Sequence, residues 1–406
     1  MTEEEVVLLA GSDMRQQIEH NLGRDPADVA LDKRLPHARL VATQISNLRR
    51  ASAKLPSFYA ARCILPTRAA EQSSAEVVAA VRDRSGELCI DLTCGLGVDA
   101  FAFSKRFRKV VAVEADPALA RAARFNFGLL GADNIEAVCG RAEDYVAEAL
   151  KQGIEADLIY IDPDRRDGRG KRLYDPAACS PDITGLLPSL KSMAKRVMIK
   201  LSPMFDPDEA FRIFGPDCLV TLVSAAGECK ELRAELGEGI TGQSVAATAV
   251  GKTPEGDNTV RSTTSPYPIP KPPECDFSSP YGFFAVPDAA LRGTRLTAAH
   301  LDELGLGPRE ACLSAPSGNA LLRRKPEGFI GRVFEISSMR PYRPQQLKKE
   351  LSARRVRSAE IFAAGIPGGA PAAFRRLGLK DGGPFRLALV RIDGDVWVIE
   401  LENLYL

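Results

Sequence analysis

The sequence predicts an α/β chain: a doubly wound, mostly parallel sheet in the middle, a helical domain before it and a smaller α/β domain after it. Three observations carry this expectation. From about 85 to 250, short apolar runs alternate with helical patterns, as βαβ units require. The first of those runs, Cys89-Ile90-Asp91-Leu92, enters a two-glycine turn, Thr93-Cys94-Gly95-Leu96-Gly97, that opens a helix. Between Gly251 and Gly282 the composition changes to Pro, Ser, Thr and Gly, with Pro266, Pro268, Pro270, Pro272 and Pro273 marking an extended spacer.

Taken in order, residues 1–84 read as a helical lead-in domain. Apolar positions recur at three and four from Ile18 to Leu22 and through Leu40, Val41, Ile45 and Leu48, and Asp25-Pro26 is a helix start. Near its end, Ser73-x-x-Glu76 spells a capping box for the helix before the first strand; the same polar turn is alternatively a flap over a bound ligand. Strands are expected near 87–92, 109–114, 135–139, 157–162, 195–201 and 218–224, with a returning strand near 244–250. Residues 251–280 form the Pro-rich linker, 281–330 a small module of undetermined type, and 331–406 a compact α/β unit. In that unit Arg332–Ile336 and Ala359–Phe362 read as strands, Pro344–Val356 and Pro371–Leu377 as helices, and Phe385–Leu401 as a hairpin turning at Asp393-Gly394.

Composition narrows the function classes. A chain of 406 residues with 45% hydrophobic content can bury full cores in two or three domains. It lacks a run of about 18 apolar residues and a basic secretory start, so a cytoplasmic protein without membrane spans is expected. Nine cysteines without a CxxC pair, and His20, His37 and His300 at no ligand spacing, argue for core thiols and against a metal site.

The turn points to a nucleotide-like ligand. Gly95-x-Gly97-x-x-Ala100 satisfies the permissive dinucleotide fingerprint, so a nicotinamide or flavin enzyme stays open at this point. Asp91, four residues ahead of Gly95, would repel a pyrophosphate but could accept from an ammonium. Val110–Glu114 is a second buried strand ending in an acid placed for ribose hydroxyls, and Asp157–Asp162 a further one ending in Asp162-Pro163.

With these four elements in order, residues 85–250 resemble the class I S-adenosylmethionine-dependent methyltransferases: a DxxxGxG-type first motif from Asp91 to Gly97, Glu114, a third-strand region at Val138–Asp144, and Asp162-Pro163. Asp91-Leu92-Thr93-Cys94-Gly95-Leu96-Gly97 is similar to the first motif of RNA-modifying members, and Ala123-Arg124-Phe125-Asn126 to their following helix. The resemblance implies S-adenosyl-L-methionine as cofactor, held by Asp91 at its ammonium, Thr93, Gly95 and Gly97 beneath it, Glu114 at the ribose and Ala142-Glu143 at the adenine, with Asp162 and Pro163 facing the acceptor. Where amino methyltransferases carry Asn/Asp-Pro-Pro-aromatic, this chain has Asp162-Pro163-Asp164-Arg165-Arg166; the arginines either hold a substrate phosphate or carboxylate or pair with Asp164, Asp167 and Asp175.

The C-terminal unit resembles the THUMP-like domain attached to some bacterial methyltransferases, which implies an RNA substrate such as tRNA or rRNA. A basic cluster agrees: Arg340, Arg343, Lys348, Lys349, Arg354 and Arg355 either track a phosphate backbone or form a solvated helix face. Cys229, beside Lys230, is the nearest candidate for a nucleophilic thiol, and a packed core thiol is the alternative; direct transfer to a base nitrogen or an oxygen is therefore the expected chemistry. A protein or small-molecule methyltransferase, or a non-catalytic RNA-binding protein of the same fold, are the competing classes.

Overall fold

The computed structural model describes residues 1–163, 180–252, 256–269, 280–314, 318–363, 366–392 and 394–403. The chain divides into two compact units, the first comprising 1–225, 230–243 and 250–259, the second 226–229, 244–249 and 260–406. Among the described residues no helix is long and apolar enough to cross a membrane.

In the first unit the strands are β1 Gly86–Asp91, β2 Phe107–Glu114, β3 Ile135–Cys139, β4 Ala156–Ile161, β5 Ala194–Leu201, β6 Cys218–Ala225 and β7 Glu228–Gly237. They lie in the order β3-β2-β1-β4-β5-β7-β6. The pairs from β3 to β5 are parallel, and β7 runs antiparallel against β5. Buried on both faces, β1, β2, β4 and β5 are the near-continuous apolar runs that such a sheet demands.

The returning strand is a correction. It is β7, not the 244–250 run, which lies within β8, Gln243–Lys252. Along β7, Leu232, Ala234 and Leu236 alternate with Glu231, Arg233 and Glu235, and all six are buried. The charged positions survive there because they meet opposite charges: Arg82 reaches Glu231 at 2.8 Å, and Arg84 reaches Glu235 at 2.6 Å.

The lead-in helices, Glu3–Ala10, Ser12–Asn21, Pro26–Leu31, Ala38–Ala51, Pro56–Ala60, Thr67–Gln72 and Glu76–Ala79, share one hydrophobic core with the sheet. Asp25 caps Pro26–Leu31 through the Ala27 N–H, and Val41, Ile45 and Leu48 are the buried face of Ala38–Ala51. Amide side chains pin the extended segment that follows. Gln44 bonds the backbone of Cys63 and Leu65, Asn47 the Leu65 carbonyl, and Asn126 both the N–H and the carbonyl of Ile64. The expected capping box does not form: Ala75 precedes the helix Glu76–Ala79, while Glu76 accepts from Ser57 N–H at 2.8 Å and so caps a different helix.

Beyond β8, a further strand, β9 Asn258–Pro266, occupies part of the stretch expected to be a spacer. Within the second unit, Arg261 donates to the Phe329 carbonyl and Thr263 to Glu303, so this stretch is packed. The remaining strands are β10 Phe283–Pro287, β11 Ala311–Ser314, β12 Asn319–Leu322, β13 Gly331–Pro341, β14 Ser358–Ala363, β15 Lys380–Ile392 and β16 Asp395–Asn403. They make one sheet, β11-β12-β10-β13-β16-β15-β14, so 281–330 is not a separate module. The hairpin of β15 and β16 closes with Ile392 opposite Asp395, and Asp393 lies outside the described residues.

At the centre of the first unit Arg82 has no exposed side-chain surface and donates to Asp99 at 2.5 Å, Glu231 at 2.8 Å and the Tyr160 hydroxyl at 3.2 Å. Removing it strands two buried carboxylates. Arg82→Met is expected to destabilise the first unit by about 3–5 kcal/mol in urea denaturation, where an exposed arginine would change it by less than about 1 kcal/mol.

Candidate active site

Parallel strands deliver their carboxyl-terminal residues to one rim, and there the first unit opens a cleft of about 2110 Å³. Its floor is made by Thr93 and Gly95 after β1, Glu114 at the end of β2, Arg141, Ala142 and Glu143 after β3, Asp162 and Pro163 after β4, and Lys200 to Phe205 at the end of β5. Its roof comes from the lead-in helices, including Leu31, His37, Arg39 and Ser73-Ser74.

Each polar group has a defined anchorage. Gly95 has φ +56°, and a side chain there would meet nothing closer than the Thr93 carbonyl at 3.9 Å, so the position faces open space. Glu114 accepts the Gly95 N–H at 2.8 Å with one oxygen and the Asp116 N–H at 2.9 Å with the other. Each oxygen keeps a further lone pair, the arrangement that two adjacent hydroxyls require. The Asp162 N–H donates to Thr93 Oγ1 at 2.6 Å, and its carboxylate pairs with Lys200 at 2.5 Å. Lys200 also reaches Ser74 Oγ at 3.1 Å, and Ser74 donates to Asp99 at 3.0 Å. Burial alone would lower the Lys200 pKa, but Asp162, Asp99 and Glu231 raise it above its usual value, so the group is a cation at neutral pH. Burial likewise opposes the Asp99 charge, and Arg82 followed by Lys200 outweighs it, leaving that carboxyl below its usual range.

A solved structure of a protein from Porphyromonas gingivalis W83 assigned to the methyltransferases superposes with a TM-score of 0.81 over 99% of both chains at 23% identity. The chain shares the fold of that protein. Residues 331–403 match the THUMP domain-like family. An uncharacterized S-adenosylmethionine-dependent methyltransferase of Mycobacterium tuberculosis is 24% identical over 350 residues, covering 85% of this chain and 90% of the relative. An uncharacterized RNA methyltransferase of Streptococcus pyogenes is 30% identical over 131 residues, 32% of this chain and 29% of that protein.

Within the methyltransferase fold, Thr93, Gly95, Glu114, Ala142, Glu143, Asp162 and Pro163 all line the cleft. Asp91 and Gly97 are not among the lining residues. Asp91 is fully buried; one oxygen accepts the Thr93 N–H at 3.0 Å and the other has no partner. Gly97, at φ +91°, is required by packing, since a Cβ would stand 2.5 Å from the Phe127 ring. Both shape the turn from below. Arg165 and Arg166 lie outside the described residues. Cys229 does not line the cleft, and burial pushes its thiol up, away from nucleophilic character.

In the second unit Arg343, Lys348, Lys349 and Arg355 are exposed. Arg340 instead pairs with Glu350 at 2.6 Å and Glu400 at 3.1 Å, and Arg354 pairs with Glu400 at 2.7 Å. Two of the six cations expected to meet substrate therefore also make ion pairs, although Arg354 remains exposed. Sequence reasoning missed Ser74, Arg82, Asp99 and Lys200; the signal for Lys200 was a lone charge closing the apolar run Val197-Met198-Ile199.

Burial first, and then the Asp99 carboxylate, push the Asp91 carboxyl well above the usual range. A folded-state pKa above the unfolded one contributes stability below the unfolded pKa and loses it as pH rises toward the folded pKa. Asp91→Asn cannot ionise and should gain on the natural chain as pH rises above about 4, by at most about 1.4 kcal/mol per pH unit. Urea denaturation from about pH 3 to 8 reads this, and a pH-independent difference would show an ionised Asp91 in the fold.

Proposed function

We propose that this protein is an S-adenosyl-L-methionine-dependent methyltransferase acting on structured RNA, tRNA or rRNA, by direct transfer to a base nitrogen or an oxygen. The observation that carries the reading is the convergence of Thr93, Gly95, Glu114, Glu143 and Asp162 on one cleft at the rim of a sheet with the antiparallel strand between β5 and β6. The residues fit the cofactor: Gly95 leaves room for it, Glu114 offers free lone pairs to a ribose, and Ala142-Glu143 forms the opposite wall for an adenine.

When bound, this cofactor supplies a methyl group on a positively charged sulfur, so the protein's task is alignment. Asp162 and Pro163 present the acceptor, and the Thr93 hydroxyl fixes the backbone of Asp162. Cys94 is buried with its thiol pushed up and Cys229 lies off the cleft, so neither of these two thiols serves a covalent route through a base carbon.

RNA as substrate is supported by the THUMP-like match and by the naming of the Streptococcus pyogenes relative as an RNA methyltransferase. Arg343, Lys348, Lys349 and Arg355 give the second unit exposed cations for a phosphate backbone. Mass spectrometry of nucleosides from total RNA, with and without the gene, should show one methylated nucleoside lost and then restored by the purified protein. Unchanged nucleosides together with methylation of a protein or a small molecule would defeat the reading. Lys348→Glu with Lys349→Glu should weaken RNA retention and lower the log–log salt slope by about 2, whereas Arg340→Ala should leave that slope almost unchanged.

A further inference from the structure

We propose that Lys200 is a positioning residue for methyl transfer, holding the Asp162 carboxylate in the orientation against which the methyl acceptor is aligned. The inference rests on the methyltransferase reading and adds a residue to it. β4 and β5 are parallel neighbours with Ile161 opposite Ile199, so Asp162 and Lys200, one step further on, leave the sheet side by side at the rim. The Lys200 side chain is only 11% exposed, yet both residues line the cleft.

The ammonium is held from two directions. It lies 2.5 Å from Asp162 Oδ2 and 3.1 Å from Ser74 Oγ, and Ser74 is itself bonded to Asp99, which Arg82 clamps. Asp162 is thus restrained twice, through its backbone N–H on Thr93 Oγ1 and through Oδ2 on Lys200. Oδ1 is left as the acceptor for a proton-bearing nucleophile. With the Lys200 side chain this far buried, the charge-assisted bond is strong and directional.

A carboxylate paired to a cation is a poor proton acceptor, and the cationic Lys200 is not a base. The arrangement therefore suits an exocyclic amino nitrogen, which can donate an N–H to Oδ1 and release a proton after transfer. Its lone pair forms the new bond to the methyl carbon while the carbon–sulfur bond breaks and its electron pair stays on sulfur; the nitrogen's proton then leaves to water past Asp162.

The test is a double-mutant cycle on the full-length protein with RNA from a strain lacking the gene. Misalignment of about 1 Å costs on the order of 100-fold, so Lys200→Met should lower kcat by about 30- to 100-fold. Affinity for S-adenosylhomocysteine, read by calorimetry, should stay within about threefold, because uniform binding is not what the lysine supplies. Lys200→Arg should recover most of the rate. Since Lys200 acts through Asp162, Lys200→Met combined with Asp162→Asn should be no slower than Asp162→Asn alone.

A kcat for Lys200→Met within twofold of the natural protein, or losses that multiply in the double variant, overturns the proposal. If Lys200→Met fails to fold by its melting curve, Ser74→Ala decides: a loss of about three- to tenfold that disappears in the Asp162→Asn background supports it, and an unchanged kcat overturns it. Absence of methyl transfer by the natural protein refutes the functional reading and this inference with it. An active natural protein indifferent to Lys200 refutes this inference alone.

Discussion

The first unit depends on a positive charge with no access to water. Arg82, at the end of the helical lead-in, is held between Asp99 on the helix Val98–Ser104 and Glu231 on β7, with its guanidinium 5.0 Å over the Tyr160 ring of β4. Burying such a group is favourable only when its donors are met by oppositely charged acceptors at good geometry. That condition ties four elements distant in sequence to one point. It accounts for charged residues inside β7, and it brings Ser74 into reach of Lys200. An apolar core of equal volume would fill the space without specifying these directions.

From that point the polar chain runs outward. Arg82 holds Asp99, Asp99 accepts from Ser74, Ser74 accepts from Lys200, and Lys200 grips Asp162 at the cleft floor. The other end of the floor is organised by Glu114, which takes up the N–H groups of Gly95 and Asp116 and so joins the turns after β1 and β2. Thr93, Gly95, Glu114, Glu143, Asp162 and Lys200, far apart along the chain, become one surface because parallel strands bring their ends to one side.

What the sequence made legible follows from its periodicities. The apolar strands β1 to β6, the Asp25 cap and the Gly95 turn were readable, because continuous apolar runs and a glycine at positive φ leave direct marks. β7 was hidden: Glu231, Arg233 and Glu235 look solvent-facing until Arg82 and Arg84 are seen against them. β9 was hidden by Ser, Thr and Pro, which also describe a spacer. Depth was equally invisible. The motif places Asp91 and Gly97 beside a ligand, but only packing shows one sealed beneath the turn and the other pressed against Phe127. Likewise Arg340 and Arg354 count as unpaired cations until Glu350 and Glu400 are found beside them.

We propose that the cleft above β1 and β2 is the cofactor site, with Glu114 as its ribose-binding acid. Calorimetric titration of S-adenosylhomocysteine into the natural protein and into Glu114→Gln tests it most directly, with thermal melting as the control for folding. Saturable one-to-one binding by the natural protein is expected, with a loss of at least about tenfold in affinity for the variant, equivalent to about 1.4 kcal/mol. Absence of binding by the folded natural protein, or equal affinity in the variant, would contradict it.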